Sequence, residues 1–387
     1  MDVLFPPAPK PKTLLGYHRI LSPTAGVRVS PLCLGAGNFG EAWKSYLGEC
    51  TKTTTFEILD HFWNAGGNFI DTANNYQAEE SETWLGEWMK ERDNRDQMVI
   101  ATKFTNGYRN PEKLKSNFQG NHSKSLKLSV NASLRKLQTD YIDLLYVHWW
   151  DFTTSIEEMM NSLHALVQSG KVLYLGISDT PAWLVVKCND YARFHGMTQF
   201  SVYQGNWSCA FRDFERDILP MVEAERMALA PWGALGGGML KTSDEYNDPN
   251  RDGRKIGPQD EKHARIANKL KEIADKKGTV ITSIALAYVM HKAPYVFPIV
   301  GGRKVEHLKG NIEGLAVELT QEEVDAIEDA EPFDVGFPQS FLFYGKPYRT
   351  RYTAKDLPLL TNIFAMETPP KQQPIPPKQG ERELKLS

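Results

Sequence analysis

Cysteine is scarce in this 387-residue chain: Cys33, Cys50, Cys188 and Cys209 are scattered, with no CxxC pair among them. That spacing fits neither a zinc site nor a disulfide framework, so reduced thiols are the expected state. An excess of one charge is equally lacking. A formal net charge of -3 supplies no footprint for nucleic acid or for an anionic membrane surface, and favours a small neutral ligand. No hydrophobic run is long enough to span a bilayer, since the most apolar late stretch covers only Val280 to Met290. The opening MDVLFPPAPKPK has no apolar h-region, and its prolines interrupt a helix, so it reads as neither a signal nor a transit peptide. The closing Lys-Leu-Ser permutes a peroxisomal tripeptide without matching it. These absences point to the cytoplasm, with no metal, nucleic-acid or membrane partner, and leave the oligomeric state open.

What is present is a rhythm. From about Pro31, short apolar or β-branched runs alternate with amphipathic segments, the pattern of parallel strands joined by helical crossovers. Strands are expected near Leu32–Gly35, Asn68–Thr72, Met98–Thr102, Tyr141–Val147, Val172–Ile177, Phe200–Tyr203, Met227–Pro231 and Val296–Ile299. Eight such strands make an α/β protein of the (β/α)8 TIM-barrel kind. Ser155 with Glu158 spells a capping box before an apolar face of Ile156, Met159, Met160 and Leu163, and Thr320 with Glu323 spells another. Leu126, Val130, Leu134 and Leu137 recur at helical spacing, and Thr180-Pro181 reads as N-cap and first residue of a helix to His195. Tyr17–Leu21 and Val27–Ser30 flank a turn, predicting an N-terminal β-hairpin that plugs the barrel floor. The expected organisation is an N-terminal extension over 1–16, the barrel over 17–332, and a tail over 333–387 that is first aromatic, then proline- and lysine-rich. Polar Thr242–Gly257 reads as a mobile lid or a cofactor-clasping loop.

Barrel enzymes carry their chemistry at the C-terminal ends of the strands. There the second strand offers Asp71 and runs on to Tyr76, the third offers Lys103, and the fourth offers His148. Singly, each has an ordinary structural reading: a strand-end cap, a rim aromatic, a solvated lysine, a satisfied core histidine. Together they aim an acid, an ammonium, a phenol and an imidazole at one mouth. An acid facing an ammonium keeps both charged, and a nearby cation is expected to lower the tyrosine pKa from its reference of about 10. Tyr76 then serves as general acid for a developing alkoxide, and His148 orients the substrate carbonyl.

The run Asn68-Phe69-Ile70-Asp71-Thr72-Ala73-Asn74-Asn75-Tyr76, followed by Glu80-Ser81-Glu82 and Leu85-Gly86, resembles the aldo-keto reductase signature. Ala101-Thr102-Lys103 and Tyr141 to His148 match that family's next two blocks, and the resemblance extends over about Tyr17 to Asp329. It implies a barrel that binds NADPH without a Rossmann fold, and a catalytic tetrad falling on Asp71, Tyr76, Lys103 and His148. Ser178, Asp179 and Gln204 stand where the family holds the nicotinamide amide, and Trp232 where an aromatic stacks on the ring. Ala234, Leu235, Gly236 and Gly238 stand at the pyrophosphate, where glycines allow close backbone approach. Gly301, Arg303, His307 and Asn311 stand in the segment that grips the adenosine half. Positive charge from Arg303, Lys304 and His307 at a helix start suits a 2′-phosphate and favours NADPH over NADH.

Gly35-Ala36-Gly37-Asn38-Phe39-Gly40 spells GxGxxG after a strand, but no helix is expected to open there. As a barrel loop it brings Asn38 and Phe39 to the cofactor mouth. Three positions depart from the family pattern: Gln77 follows the tyrosine in place of glycine, Asp179 replaces asparagine, and Gly301-Gly302 replace lysine and serine. With Thr180-Pro181 and Tyr203-Gln204-Gly205-Asn206-Trp207-Ser208, they resemble fungal aryl-alcohol dehydrogenases and norsolorinic acid reductases. The expectation is NADPH-dependent reduction of an aromatic or polyketide-like carbonyl. Two alternatives stay open: an NADPH-binding regulatory subunit without turnover, and a Schiff-base lyase on Lys103. Trp43–Gly48, Trp149-Trp150, the lid and the tail are the expected pocket walls.

Overall fold

The structure is a computed structural model that describes residues 9–109, 113–247 and 259–342. Strands β1 (Arg19–Ser22) and β2 (Ala25–Val29) form an antiparallel hairpin. Eight parallel strands follow: β3 (Cys33–Gly35), β4 (Phe69–Asp71), β5 (Val99–Phe104), β6 (Ile142–Val147), β7 (Val172–Ser178), β8 (Phe200–Asn206), β9 (Ala228–Trp232) and β10 (Ile299–Val300). Their order is β10-β3-β4-β5-β6-β7-β8-β9. A parallel bridge between Leu229 and Val296 joins the two ends, with Phe297 N–H donating to the Leu229 carbonyl at 2.8 Å. The sheet is thereby a nearly closed (β/α)8 barrel with helices flanking it.

The period-two pleat sorts each strand into an inner and an outer face. Phe69, Val99, Ala101, Leu144, Tyr146, Val202, Ala228 and Ala230 share the inner core, while Leu34, Ile70 and Ile100 pack outward with helix residues such as Ile58, Phe62, Leu85 and Leu308. Leu21, Ala25 and Val29 of the hairpin belong to the inner cluster, so the hairpin plugs the barrel floor as expected. Because Phe69 and Asp71 alternate with Ile70, and Val99, Ala101 and Lys103 with their outward neighbours, the polar strand-end residues inherit the inward direction of the apolar ones before them.

Several boundaries differ from expectation for local reasons. Strand β8 runs three residues beyond Tyr203, through Gly205, which pairs with Pro231. The last strand is displaced to Ile299–Val300, after Pro298, whose carbonyl accepts from Cys33 N–H at 3.0 Å. Thr180 does not cap the following helix. Pro181 occupies the N-cap of Ala182–Phe194, because Tyr203 Oη holds Thr180 by accepting its N–H and donating to its carbonyl. The box at Ser155 is half-made: its hydroxyl accepts from Glu158 N–H, but the Glu158 carboxylate turns to Ser123 N–H and Oγ. At Thr320 and Glu323 both halves are present.

The chain divides into two compact units, one to Pro332 and one from Phe333. Within the second, the described residues end in a short helix, Gln339–Leu342. Most of the expected lid and most of the tail lie outside the described residues, although Ser243–Asn247 at the lid's start is helical. No helix among the described residues is long and apolar enough to cross a membrane. All four cysteines are free and buried.

Candidate active site

The mouth is built from strand ends that deliver unlike chemistry. Asp71 closes β4, Lys103 stands in the last turn of pleat of β5, and His148 follows β6. Lys103 is fully buried, and its three ammonium hydrogens have three acceptors: Asp71 Oδ1 at 2.5 Å, the Thr72 carbonyl at 2.7 Å and Tyr76 Oη at 3.3 Å. Burial alone would lower the Lys103 pKa, but Asp71 and Tyr76 together outweigh it, and the ammonium is held above its ordinary value. The other carboxylate oxygen of Asp71 accepts from Gln204 Nε2 at 2.9 Å, so β8 is tied directly to the charged pair.

Tyr76 is half-buried, with its ring 5.9 Å from the His148 ring and 6.3 Å from that of Trp43, both edge-on. Its pKa is raised, contrary to the lowering expected from a neighbouring cation. Burial is the largest influence and Asp71 adds to it, so the pull of Lys103 is outweighed. His148 is buried, with Trp149 tilted over it at 4.7 Å, and burial followed by the Lys103 charge pushes its pKa well below the usual imidazole value. The imidazole is therefore neutral at physiological pH and has a single N–H to offer. Its Nδ1 is buried without a hydrogen-bond partner.

The three residues after Tyr76 are left-handed without being glycine: Gln77 at φ 52°, Ala78 at 50° and Glu79 at 82°. Such conformations cost roughly 1–2 kcal/mol each, so the surrounding contacts must over-determine this turn. Glu82, fully buried at the next helix, accepts from Thr102 Oγ1 at 2.6 Å and pairs with Lys136 at 2.7 Å, and Lys136 also donates to the Asn74 carbonyl. That network anchors the turn from outside the barrel.

The candidate cofactor residues occupy the other half of the mouth. Ser178 ends β7, with its hydroxyl buried and without a hydrogen-bond partner. Asp179 follows at φ 42° and accepts from Trp232 Nε1 at 3.3 Å. Desolvation of its carboxylate raises its pKa to about 6 against the lowering pull of Trp232, Ser178 and Lys103, although the residue as a whole is exposed and water screens part of that effect. Trp232 is 40% exposed at the end of β9, leaving ring surface for a ligand. Beyond buried Ala234 and half-buried Leu235, Gly236, Gly237 and Gly238 run at φ 71°, 60° and 98°, and open space stands where side chains of the last two would be. Across the barrel seam, a Cβ on Gly301 would stand 3.6 Å from Asn38 Nδ2, and a Cβ on Gly302 2.8 Å from that of His307. A side chain at Gly48 would collide with the Arg303 guanidinium, so Arg303 packs across the loop after β3. Asn311 is buried on the helix Val305–Glu313.

One expected contact is placed elsewhere. Phe39 is fully buried in the outer core, and its N–H donates to the Ala36 carbonyl, so its side chain offers no ligand surface. No helix opens within the GxGxxG run; the first helical residue after it is Lys44. Sequence reasoning also missed how Gln77 and Gln204 are used. The sequence points Gln204 to the cofactor amide alone, and no local signal reports its bond to a residue 133 positions away.

Residues 31–332 match the model of the aldo/keto reductase family. The chain is 64% identical over 382 residues to norsolorinic acid reductase A of Aspergillus parasiticus, covering 98% of each chain. It is 59% identical over 383 residues to a norsolorinic acid reductase of Emericella nidulans, again covering 98% of each. It is 50% identical over 382 residues to an aryl-alcohol dehydrogenase of Pestalotiopsis microspora, covering 97% of each.

Proposed function

The chain belongs to the aldo/keto reductase family, and on that premise we propose that it reduces an aromatic or polyketide-like aldehyde or ketone to the alcohol with NADPH. The observation that carries this reading is the buried Lys103 ammonium bridging Asp71 and Tyr76 beside a neutral His148. The relatives named for norsolorinic acid and for aryl alcohols direct the substrate class toward aromatic carbonyls in secondary metabolism. Trp43 beside Tyr76 and Trp149 over His148 give aromatic walls suited to such a ligand.

The cofactor assignment rests on fit. The unpartnered Ser178 hydroxyl, the Asp179 carboxylate and Gln204 suit a carboxamide, exposed Trp232 suits a flat ring, and the open left-handed glycines suit phosphates. Arg303 and His307 are assigned to the 2′-phosphate, with Asn311 on the adenine side. The chemistry NADPH supplies when bound is a hydride for the carbonyl carbon.

The chain's residues handle the oxygen. His148 donates its N–H to the substrate carbonyl and fixes its direction. Tyr76 transfers its phenolic proton to the oxygen as negative charge develops there, leaving a phenolate that Lys103 stabilises across 3.3 Å. A raised Tyr76 pKa suits a donor, because the phenol stays loaded at neutral pH and releases its proton only to a strongly basic alkoxide. Asp71 keeps Lys103 charged and fixed. With all three hydrogens of that ammonium engaged, no lone pair is available for Schiff-base attack, which weighs against the lyase alternative. Residues 17–332 are proposed as the catalytic unit, with 1–16 as an extension, 333–387 as a tail and the cytoplasm as the location.

The test is cofactor oxidation with a panel of aryl aldehydes and ketones, with product analysis. Consumption of NADPH in step with alcohol formation, and faster than with NADH, is expected. Tight NADPH binding without turnover would support a regulatory subunit, and borohydride trapping of a substrate–Lys103 adduct would support the lyase.

A further inference from the structure

Gln77 stands where the family resemblance leads one to expect glycine, and its left-handed backbone would suit glycine better. Its side chain is fully buried, and both ends of its amide are satisfied by one loop. Oε1 accepts from Trp43 N–H at 2.7 Å, and Nε2 donates to the Gly37 carbonyl at 3.0 Å. Gly40, at φ 149°, leaves the room this requires, since a Cβ there would collide with Gln77 Cβ and Cγ. Glu80 adds a second tie by accepting from Glu41 N–H at 2.7 Å and Ala42 N–H at 3.0 Å. The loop after β3 is therefore fastened to the Tyr76 turn, and the residue at its end is Trp43, whose indole stands edge-on to Tyr76.

We propose that Gln77 is a positioning residue that clasps the 37–43 loop to the Tyr76 turn, holds Trp43 as a pocket wall, and thereby selects flat aromatic carbonyls over small aliphatic ones. The selectivity part rests on the reductase reading above; the clasp does not. A flat aromatic substrate gains from a fixed indole beside the proton donor, whereas a three-carbon aldehyde reaches the same donor without needing that wall. Loss of the clasp leaves Tyr76, Lys103 and His148 in place and frees the wall. The expected signature is a change in KM for the large substrate with little change in kcat.

Gln77→Gly removes the amide and relieves the left-handed backbone, whereas Gln77→Met removes the amide and keeps the bulk. Amide hydrogen exchange over 37–50, read by mass spectrometry without substrate, is expected to speed up at Trp43 at least about tenfold in both variants. Thermal melting of Gln77→Gly is expected to equal or exceed that of wild type. With 2-naphthaldehyde the KM is expected to rise roughly tenfold, with propanal less than about twofold, and the difference is expected to vanish in a Trp43→Ala background.

Unchanged exchange at Trp43 in both variants would overturn the clasp. Faster exchange with an unmoved ratio of naphthaldehyde to propanal KM would overturn the selectivity role, as would an effect of the same size in the Trp43→Ala background. A lower melting temperature with unchanged kinetics would make Gln77 merely structural. If wild type turns over neither aldehyde with NADPH, the reductase reading fails, and the exchange data still decide the clasp.

Discussion

The two halves of the barrel mouth are built on opposite principles. On the β4–β6 side the charged groups are dry and already paired, with Lys103 fully buried, Asp71 bonded to both Lys103 and Gln204, and the supporting turn pinned through Glu82 and Lys136, while the neutral His148 keeps an unpartnered Nδ1. On the β7–β10 side Trp232 and Asp179 are exposed, the Ser178 hydroxyl has no partner, and three glycines leave backbone open. The charged pair of the first half is held by the chain's own groups, and the second half offers the groups that the proposed cofactor would engage. Preorganised charge serves the transition state, whereas unpaired donors and open backbone serve ground-state binding.

Substitutions on the two sides should therefore fail differently. The largest effect is expected at Lys103→Met, with turnover falling roughly 10³-fold while NADPH affinity, followed by fluorescence titration, stays within about twofold. Comparable loss of both would merge the halves. Asp71→Asn comes next: it strands a buried ammonium without its countercharge and is expected to cost about 3–5 kcal/mol in urea denaturation. A near-neutral result would show that the Thr72 carbonyl and the Tyr76 hydroxyl suffice to hold Lys103.

On the binding side the effects shrink. Ser178→Ala should weaken NADPH about fivefold, in line with roughly 1 kcal/mol for a hydrogen bond, and leave the melting temperature unmoved. A loss of stability instead would make Ser178 part of the core. The smallest effect belongs to Asp179. Its folded pKa, about 6, lies above its reference of 3.8, so its contribution to stability is full below pH 4 and is lost as pH rises through 6. Asp179→Asn should be the more stable protein above pH 6, with the gap closing toward pH 4. A gap that widened on acidification would reverse the assigned sign.

The contrast also explains what the sequence made legible. Asp71, Lys103 and His148 could be found because each stands at or next to the end of an apolar strand, and period-two alternation fixes the face they share. Strand β8 outruns its expected end because Gln204-Gly205-Asn206 breaks the apolar run while the backbone pairing continues to Asn206 and Trp232. The Tyr76 pKa moves opposite to the expected direction because a charge is visible in a sequence and desolvation is not. The Gln77 clasp was invisible for a related reason: its partners lie 34 and 40 residues away, and only the folded loop brings them together. Phe39 shows the converse, a motif position that packing claims for the core.

Whether Tyr76 is the proton donor of a preassembled half-site is decided by single-turnover reduction of an aryl aldehyde in Tyr76→Phe with saturating NADPH. NADPH affinity is expected within about twofold of wild type, and the rate of reduction lower by roughly 10²–10⁴. Equal rates in the two proteins would contradict that role.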